Sequence, residues 1–155
     1  MDAPYDAAVI GAGPAGEVAA TRLARAGMRV ALVERALVGG ECAYWACIPS
    51  KTLLRPPEAA AEARRAAGTA EPALAWEEIA SYRDEMIRHL DDSAQVSGYR
   101  DMGVDVHRGA AEVLGPGRID VDGTMLEARR IVIATGSEQA VPAIQGLEEA
   151  GYWTN

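Results

Sequence analysis

The 155-residue sequence lacks any apolar run long enough to cross a bilayer. It also lacks an N-terminal basic segment followed by an apolar stretch. Positive charge is scarce, because the chain has 15 basic and 23 acidic side chains and a formal net charge of -8. Such a balance disfavours attraction to phosphate backbones and anionic lipid. We therefore expect one cytoplasmic domain with no nucleic-acid partner and no membrane partner.

Cysteine and lysine are both rare in this chain. The only cysteines are Cys42 and Cys47. In the cytoplasm structural disulfides are uncommon, so two neighbouring cysteines favour redox chemistry or metal binding. The basic residues are fourteen arginines and one lysine, Lys51. A lone lysine in so arginine-rich a chain indicates a site that prefers a compact ammonium group.

The first third of the chain has the pattern of a βαβ unit. Residues 5–10 predict a buried strand that runs into the glycine-rich segment 11–16. A helix is predicted over residues 17–26, and a second buried strand over 29–34. Two strands joined in this way are parallel, with a right-handed crossover.

The rest of the chain predicts helices and then a change of sheet type. The cysteine segment 41–51 leads into a helical stretch, and an apolar stripe from Trp76 to Ala94 predicts an amphipathic helix packed on the core. Further strands are predicted at 104–107, 109–113, 118–121, 124–128 and 131–135, with a hairpin turn at Asp122-Gly123. The expected fold is α/β and Rossmann-like, a mostly parallel sheet with helices on one side and a small antiparallel meander on the other.

The glycine-rich segment carries a dinucleotide-binding signature. Gly11, Gly13 and Gly16 satisfy G-x-G-x-x-G, in which the glycines allow a tight turn, approach of a pyrophosphate and close packing of helix on strand. Glu34 ends the next strand 18 positions after Gly16, where an acid accepts hydrogen bonds from a ribose 2′-OH. A carboxylate there disfavours NADP. This motif alone does not separate NAD from FAD.

A disulfide between the two cysteines would require a distorted backbone. Residues five apart in a regular helix have Cα atoms about 8.6 Å apart, beyond the roughly 7 Å that a disulfide bridges. Pro49 weakens the helix near this point because it has no N–H for the carbonyl of Trp45. Zinc binding, incidental buried thiols and a structural crosslink remain alternatives to redox chemistry.

Taken together, these motifs resemble the pyridine nucleotide-disulfide oxidoreductases, a family that includes dihydrolipoamide dehydrogenase, glutathione reductase and mercuric reductase. The resemblance rests on Gly11 to Gly16, Glu34, the segment from Gly39 to Lys51 with its Cys-x4-Cys-Ile-Pro-Ser-Lys pattern, and Ala134-Thr135-Gly136-Ser137. It implies FAD as cofactor, NAD(P)H as electron donor and a disulfide, thiol or metal substrate. It further implies that residues 1–155 are the N-terminal part of an FAD-binding domain, without the family's NAD(P)H-binding and dimerisation domains. A full-length parent would be a homodimer.

The resemblance also implies roles for individual residues. Cys47 would lie against the flavin, Cys42 would attack the substrate, and Lys51 would place its charge near the reactive flavin nitrogen. No metal site is expected, and His89 and His107 are interpreted as ordinary surface or packed residues. The expected cofactor-binding residues are Gly11, Gly13, Pro14, Ala15, Gly16, Glu34, Gly40, Glu41, Cys42, Cys47, Lys51, Ala111, Ala134, Thr135 and Gly136.

The sequence departs from the family pattern at two places. Glu41 replaces a threonine that helps to bind phosphate, and Tyr44-Trp45-Ala46 replaces Asn-Val-Gly. These changes leave the subfamily and its substrate open. Two other hypotheses are a nucleotide-binding module without turnover of its own and a structural domain that binds no nucleotide.

Overall fold

A computed structural model describes residues 4–154. The strands are β1 (Ala7–Ile10), β2 (Val30–Glu34), β3 (Val104–Arg108), β4 (Ala111–Gly115), β5 (Arg118–Val121), β6 (Thr124–Glu127) and β7 (Ile131–Ile133). The helices are α1 (Pro14–Arg25), α2 (Gly40–Tyr44), α3 (Cys47–Arg65), α4 (Trp76–Met86), α5 (Ser93–Asp101) and α6 (Leu147–Ala150), with a 3-10 turn at Arg88–Leu90.

Four parallel strands form the central sheet, in the order β3-β2-β1-β7. All four residues of β1 are buried, as are the first four of β2. A strand buried on both faces needs an unbroken apolar run, and both segments have one. The predicted parallel βαβ start is confirmed, and the carboxyl ends of β1, β2 and β7 meet at one edge.

The two faces of this sheet are covered differently. Val9, Leu32 and Val104 point into a cluster that α1 and α5 cover, through residues such as Ala20 and Tyr99. The alternate positions pack against the meander. Ile10 and Val33 contact a second cluster that contains Ile119 and Leu126. Since side chains alternate along a strand, one apolar run supplies both cores. The predicted layer order is confirmed.

The meander is a three-stranded antiparallel sheet in the order β4-β5-β6. Asp122 and Gly123 turn β5 into β6 with φ values of 46° and 86°, as expected for this dipeptide in a tight hairpin. Strand β4 starts at Ala111 rather than at the predicted Gly109. Gly109 has a φ of 150°, and its N–H donates a hydrogen bond to the carbonyl oxygen of Glu34. This residue connects the parallel sheet to the meander.

The predicted continuous helix from Trp76 to Ala94 is wrong. The chain leaves the right-handed helical region at Arg88, His89 and Leu90, whose φ values are 53°, 51° and 63°. No residue of α4 is buried, and Trp76 is 62% exposed. Periodic spacing identifies an apolar face, but it does not show whether another element covers that face.

His107 is packed at the edge of the sheet, in β3. Its Nε2 lies 3.2 Å from the Tyr5 hydroxyl, and the two rings meet edge to face. Burial lowers the pKa of His107, an effect that Asp105 partly opposes. His89, in contrast, lies at the 3-10 turn rather than in the predicted regular helix.

Within residues 4–154, none of the helices has the length and apolar character needed to cross a membrane.

Candidate functional site

The glycine turn after β1 is closely packed against its surroundings. A Cβ at Gly11 would lie 2.3 Å from the carbonyl oxygen of Ala134, and one at Gly16 would lie 1.8 Å from that of Gly11. Neither position has room for a side chain. A Cβ at Gly13 would meet only the Cα of Gly40, at 4.0 Å. The turn therefore packs tightly against protein at its first and third glycines and is open at the second.

Helix α1 begins at the open part of this turn. Its N-cap is Gly13, which has no side chain to bond the first N–H groups, and its first residue is Pro14. Pro14 and Ala15 are exposed. Uncapped N–H groups and the helix dipole make such a terminus favourable for an anion such as a pyrophosphate.

Glu34 connects the glycine turn with the end of β2. Its Oε2 accepts a hydrogen bond from Ala12 N at 2.7 Å, and its Oε1 accepts one from Ala36 N at 2.8 Å. Each carboxylate oxygen keeps a further lone pair. The side chain is therefore held in one orientation and can still accept hydrogen bonds from a ribose.

These elements surround one cleft of about 1040 Å³. This volume lies just above the range of about 300–1,000 Å³ that small-molecule sites occupy. Three segments complete its walls: α2, the turn from Gly109 to Ala111, and the chain from Ala134 to Gln139. All the predicted cofactor-binding residues line it except Gly16, Cys47 and Lys51. Their contacts with a cofactor remain predictions.

The cysteine segment is interrupted between two helices. Cys42 lies within α2, and Cys47 is the first residue of α3. Between them the amides of Trp45 and Ala46 both donate to the carbonyl of Glu41, at 2.8 and 2.7 Å. The expected distortion is confirmed, but it precedes Pro49. Pro49 lies in the first turn of α3, where its missing N–H would have no partner within the helix.

Four ionisable groups converge at this interruption. Cys42 and Cys47 are free thiols. A hydrogen bond to Cys47 raises the pKa of the Cys42 thiol, and burial and the charge of Cys47 raise it further. The ammonium of Lys51, one turn beyond Cys47, lowers that pKa, and the carboxylate of Glu17 raises it. Disulfide formation by the pair remains a prediction.

Glu41 lines the cleft with its side chain exposed. No cation pairs with it among residues 4–154. In the same part of the chain, no group of three or more His, Cys, Asp or Glu is arranged to hold a metal ion.

Several residues of the cleft were not among the predicted cofactor-binding residues, although Ser137 and Trp45 belong to segments that the sequence analysis names. Arg35 and Glu138 form an exposed ion pair of 3.7 Å, and Ser137, Gln139 and Trp45 also line the cleft. Ser137 to Gln139 directly follow the predicted Gly136, which is the signal that could have found them. Arg35 follows Glu34 in the same way.

The fold and cleft are those of a dinucleotide-binding α/β domain, and one of its two neighbouring cysteines, Cys42, lines the cleft. The family model for pyridine nucleotide-disulphide oxidoreductases matches residues 5–154, and the chain belongs to that family. Membership implies FAD as cofactor, which the open second glycine, the α1 terminus and Glu34 fit.

Curated relatives extend well beyond this chain. A dihydrolipoyl dehydrogenase from Acholeplasma laidlawii is 33% identical over 97% of this chain and 46% of its own length. A mercuric reductase from Staphylococcus aureus is 32% identical over 99% of this chain and 29% of its own length. The chain thus spans less than half the length of these relatives.

A solved structure shows the same architecture. The HOCl-induced flavoprotein disulfide reductase RclA from Escherichia coli matches with a TM-score of 0.74 and 31% identity. The match covers 90% of this chain and 30% of that one.

Proposed function

We propose that this chain is the FAD-binding portion of a disulfide oxidoreductase that passes electrons from NAD(P)H through FAD to Cys42 and Cys47. A disulfide, thiol or metal substrate would be the final partner. The observation that carries the proposal is Cys42 in the lining of the nucleotide cleft, with the only other cysteine, Cys47, at the start of the next helix and near enough to raise the pKa of Cys42. A cytoplasmic location and a homodimeric parent are parts of the same proposal.

FAD would lie along the cleft with its pyrophosphate at the N-terminus of α1 and the nearby backbone amides. The N-terminus of α1 would face the pyrophosphate beside Gly13, and Glu34 would accept hydrogen bonds from the adenosine ribose. Ala111 would approach the adenine and Gly136 the flavin. Bound FAD supplies the chemistry that links a two-electron hydride donor to a dithiol.

The cysteines would carry the electrons onward. A Cys42-Cys47 disulfide takes up two electrons and two protons and becomes two thiols. The Cys42 thiolate then attacks a substrate disulfide and releases one substrate thiol. Cys47 attacks the resulting mixed disulfide, releases the second thiol and restores the internal disulfide.

Lys51 would favour thiolate in this cycle, because its charge lowers the pKa of Cys42. The division of roles between the cysteines rests on the family resemblance. Cys42, rather than Cys47, lines the cleft in this structure. Single substitutions therefore decide which thiol faces the flavin.

The test is visible absorbance of the FAD-loaded protein during partial reduction, with Cys42→Ser and Cys47→Ser compared. A long-wavelength band between thiolate and flavin should appear in the wild type, persist in Cys42→Ser and vanish in Cys47→Ser. The opposite pattern would exchange the two roles. Absence of the band from the wild type would refute the proposed electron path.

A further inference from the structure

One residue of the loop before α2, Val38, is held through both of its backbone polar groups. The N–H of Val38 donates to Oδ2 of Asp92 at 2.7 Å, and its carbonyl accepts a hydrogen bond from the Tyr44 hydroxyl at 3.2 Å. Val38 itself is fully buried. Asp92 is in turn paired with the guanidinium of Arg108. These contacts join α5 and β3 to the last residue of the cysteine-bearing helix.

Tyr44 is closely fitted between this loop and α2. Its side chain is 2% exposed. A Cβ at Gly39 would lie 2.9 Å from its ring, so only a glycine leaves room for the ring there. Burial, helped by the charge of Asp92, raises the pKa of Tyr44. The hydroxyl thus stays protonated and remains a donor.

The position of Tyr44 makes this contact relevant to the cysteines. Tyr44 follows Cys42 by two residues, and only Trp45 and Ala46 separate it from Cys47. Those two residues have left helical geometry. The continuous run of regular helical hydrogen bonds is therefore broken between the two thiols. A disulfide requires Cα atoms within about 4.4–6.8 Å, so small movements of α2 change how easily it forms.

We propose that Tyr44 is a positioning residue for Cys42 and Cys47, whose bond to Val38 fastens α2 and favours disulfide formation. Tyr44 also supports Trp45, since the ring centroids are 5.8 Å apart and the rings are inclined by 59°. Trp45 in turn lines the cleft beside Cys42. This inference rests on the proposed function, since it assigns Tyr44 a role in the redox cycle of the same cysteines.

The test is the thiol–disulfide equilibrium of the full chain in glutathione buffers, which needs neither FAD nor NAD(P)H. Each protein disulfide takes electrons from two glutathione molecules and yields a dithiol and one oxidised glutathione. Trapped thiols are counted by mass spectrometry. Tyr44→Phe removes only the hydroxyl. It should lower the equilibrium constant for disulfide formation by at most about fivefold, the factor for one ordinary hydrogen bond, because only the difference in bond strength between disulfide and dithiol counts.

Tyr99→Phe is the matched control. Tyr99 is also buried, and it lies in α5 rather than in the cysteine segment. The control should lose stability while keeping the wild-type thiol–disulfide equilibrium. A purely structural role for Tyr44 predicts the same result for Tyr44→Phe, and that result would overturn the inference.

Asp92→Ala provides a second variant if Tyr44→Phe does not fold. This substitution removes the acceptor of the Val38 N–H, and it should also lower the equilibrium constant for disulfide formation. An unchanged constant would count against the role assigned to Tyr44. A wild-type chain that never forms the disulfide would overturn the proposed electron path together with this inference, whereas a normal wild type with an unaffected Tyr44→Phe overturns the inference alone.

Discussion

Glu34 accepts a hydrogen bond from the backbone N–H of Ala12 at 2.7 Å, across 22 residues of sequence. The bond joins the end of β2 to the middle of the glycine turn. It gives Glu34 a structural role in addition to the predicted contact with ribose. A partly buried charge–amide bond of this kind positions the carboxylate before any ligand arrives.

Replacing Glu34 by alanine should weaken FAD binding about 10- to 100-fold, because hydrogen bonds to a charged group contribute about 1.5–3 kcal/mol. Isothermal titration calorimetry or flavin fluorescence measures the affinity. Glu138→Gln is the control, since Glu138 lines the same cleft but is largely exposed. Equal losses in the two variants would indicate a general charge effect rather than a contact of Glu34.

Gly16→Ala should destabilise the fold by about 3 kcal/mol or more, because the new Cβ would collide with backbone. That Cβ would lie 1.8 Å from the Gly11 carbonyl oxygen. Chemical denaturation gives the free energy of unfolding. Gly98→Ala is the matched control within α5, where a Cβ meets nothing within 4 Å. It should stabilise the chain by about 0.5–1 kcal/mol. A well-folded, fully stable Gly16→Ala would contradict the close packing described above.

Glu17→Gln should change the pH dependence of stability. Burial raises the pKa of Glu17, so the native state binds its proton more tightly than the unfolded chain does. Its contribution is complete below the unfolded pKa of about 4.3 and is lost as pH rises through the folded pKa. The variant should gain less than about 1 kcal/mol near pH 7, because water screens a half-exposed carboxylate. Thermal unfolding should show no gain near pH 3, below both pKa values. A gain of equal size at both values would rule out the titration of Glu17 as its cause.

Lys51→Gln should slow the alkylation of Cys42 at mildly alkaline pH. The ammonium lowers the pKa of the Cys42 thiol, so its removal reduces the thiolate fraction. Rates of iodoacetamide labelling across a pH series, read by peptide mass spectrometry, give the pH midpoint at which Cys42 becomes thiolate. Lys51→Arg should keep most of the effect. Arg55→Gln removes the same charge one turn further along α3, where Arg55 pairs with Glu58 and Glu62. A midpoint that moves equally in Arg55→Gln would show a non-specific charge effect.

Local patterns determined much of this fold. The βαβ start, the tight hairpin at Asp122-Gly123 and the distortion between Cys42 and Cys47 were all predictable. Each depends on neighbours in sequence: alternating burial, a turn dipeptide or helix geometry. The glycine spacing and Glu34 likewise indicated a nucleotide cleft, because the motif itself contains the elements that form it.

Contacts between distant segments were decided only by the tertiary structure. The stripe from Trp76 to Ala94 predicted a core helix, yet the chain turns at Arg88 and leaves Trp76 exposed. The bond between Val38 and Asp92 spans 54 residues and has no signature in the sequence. Periodicity determines which face of a segment is apolar. Which surface covers that face depends on the packing of the whole chain, because burial is a property of two surfaces rather than one.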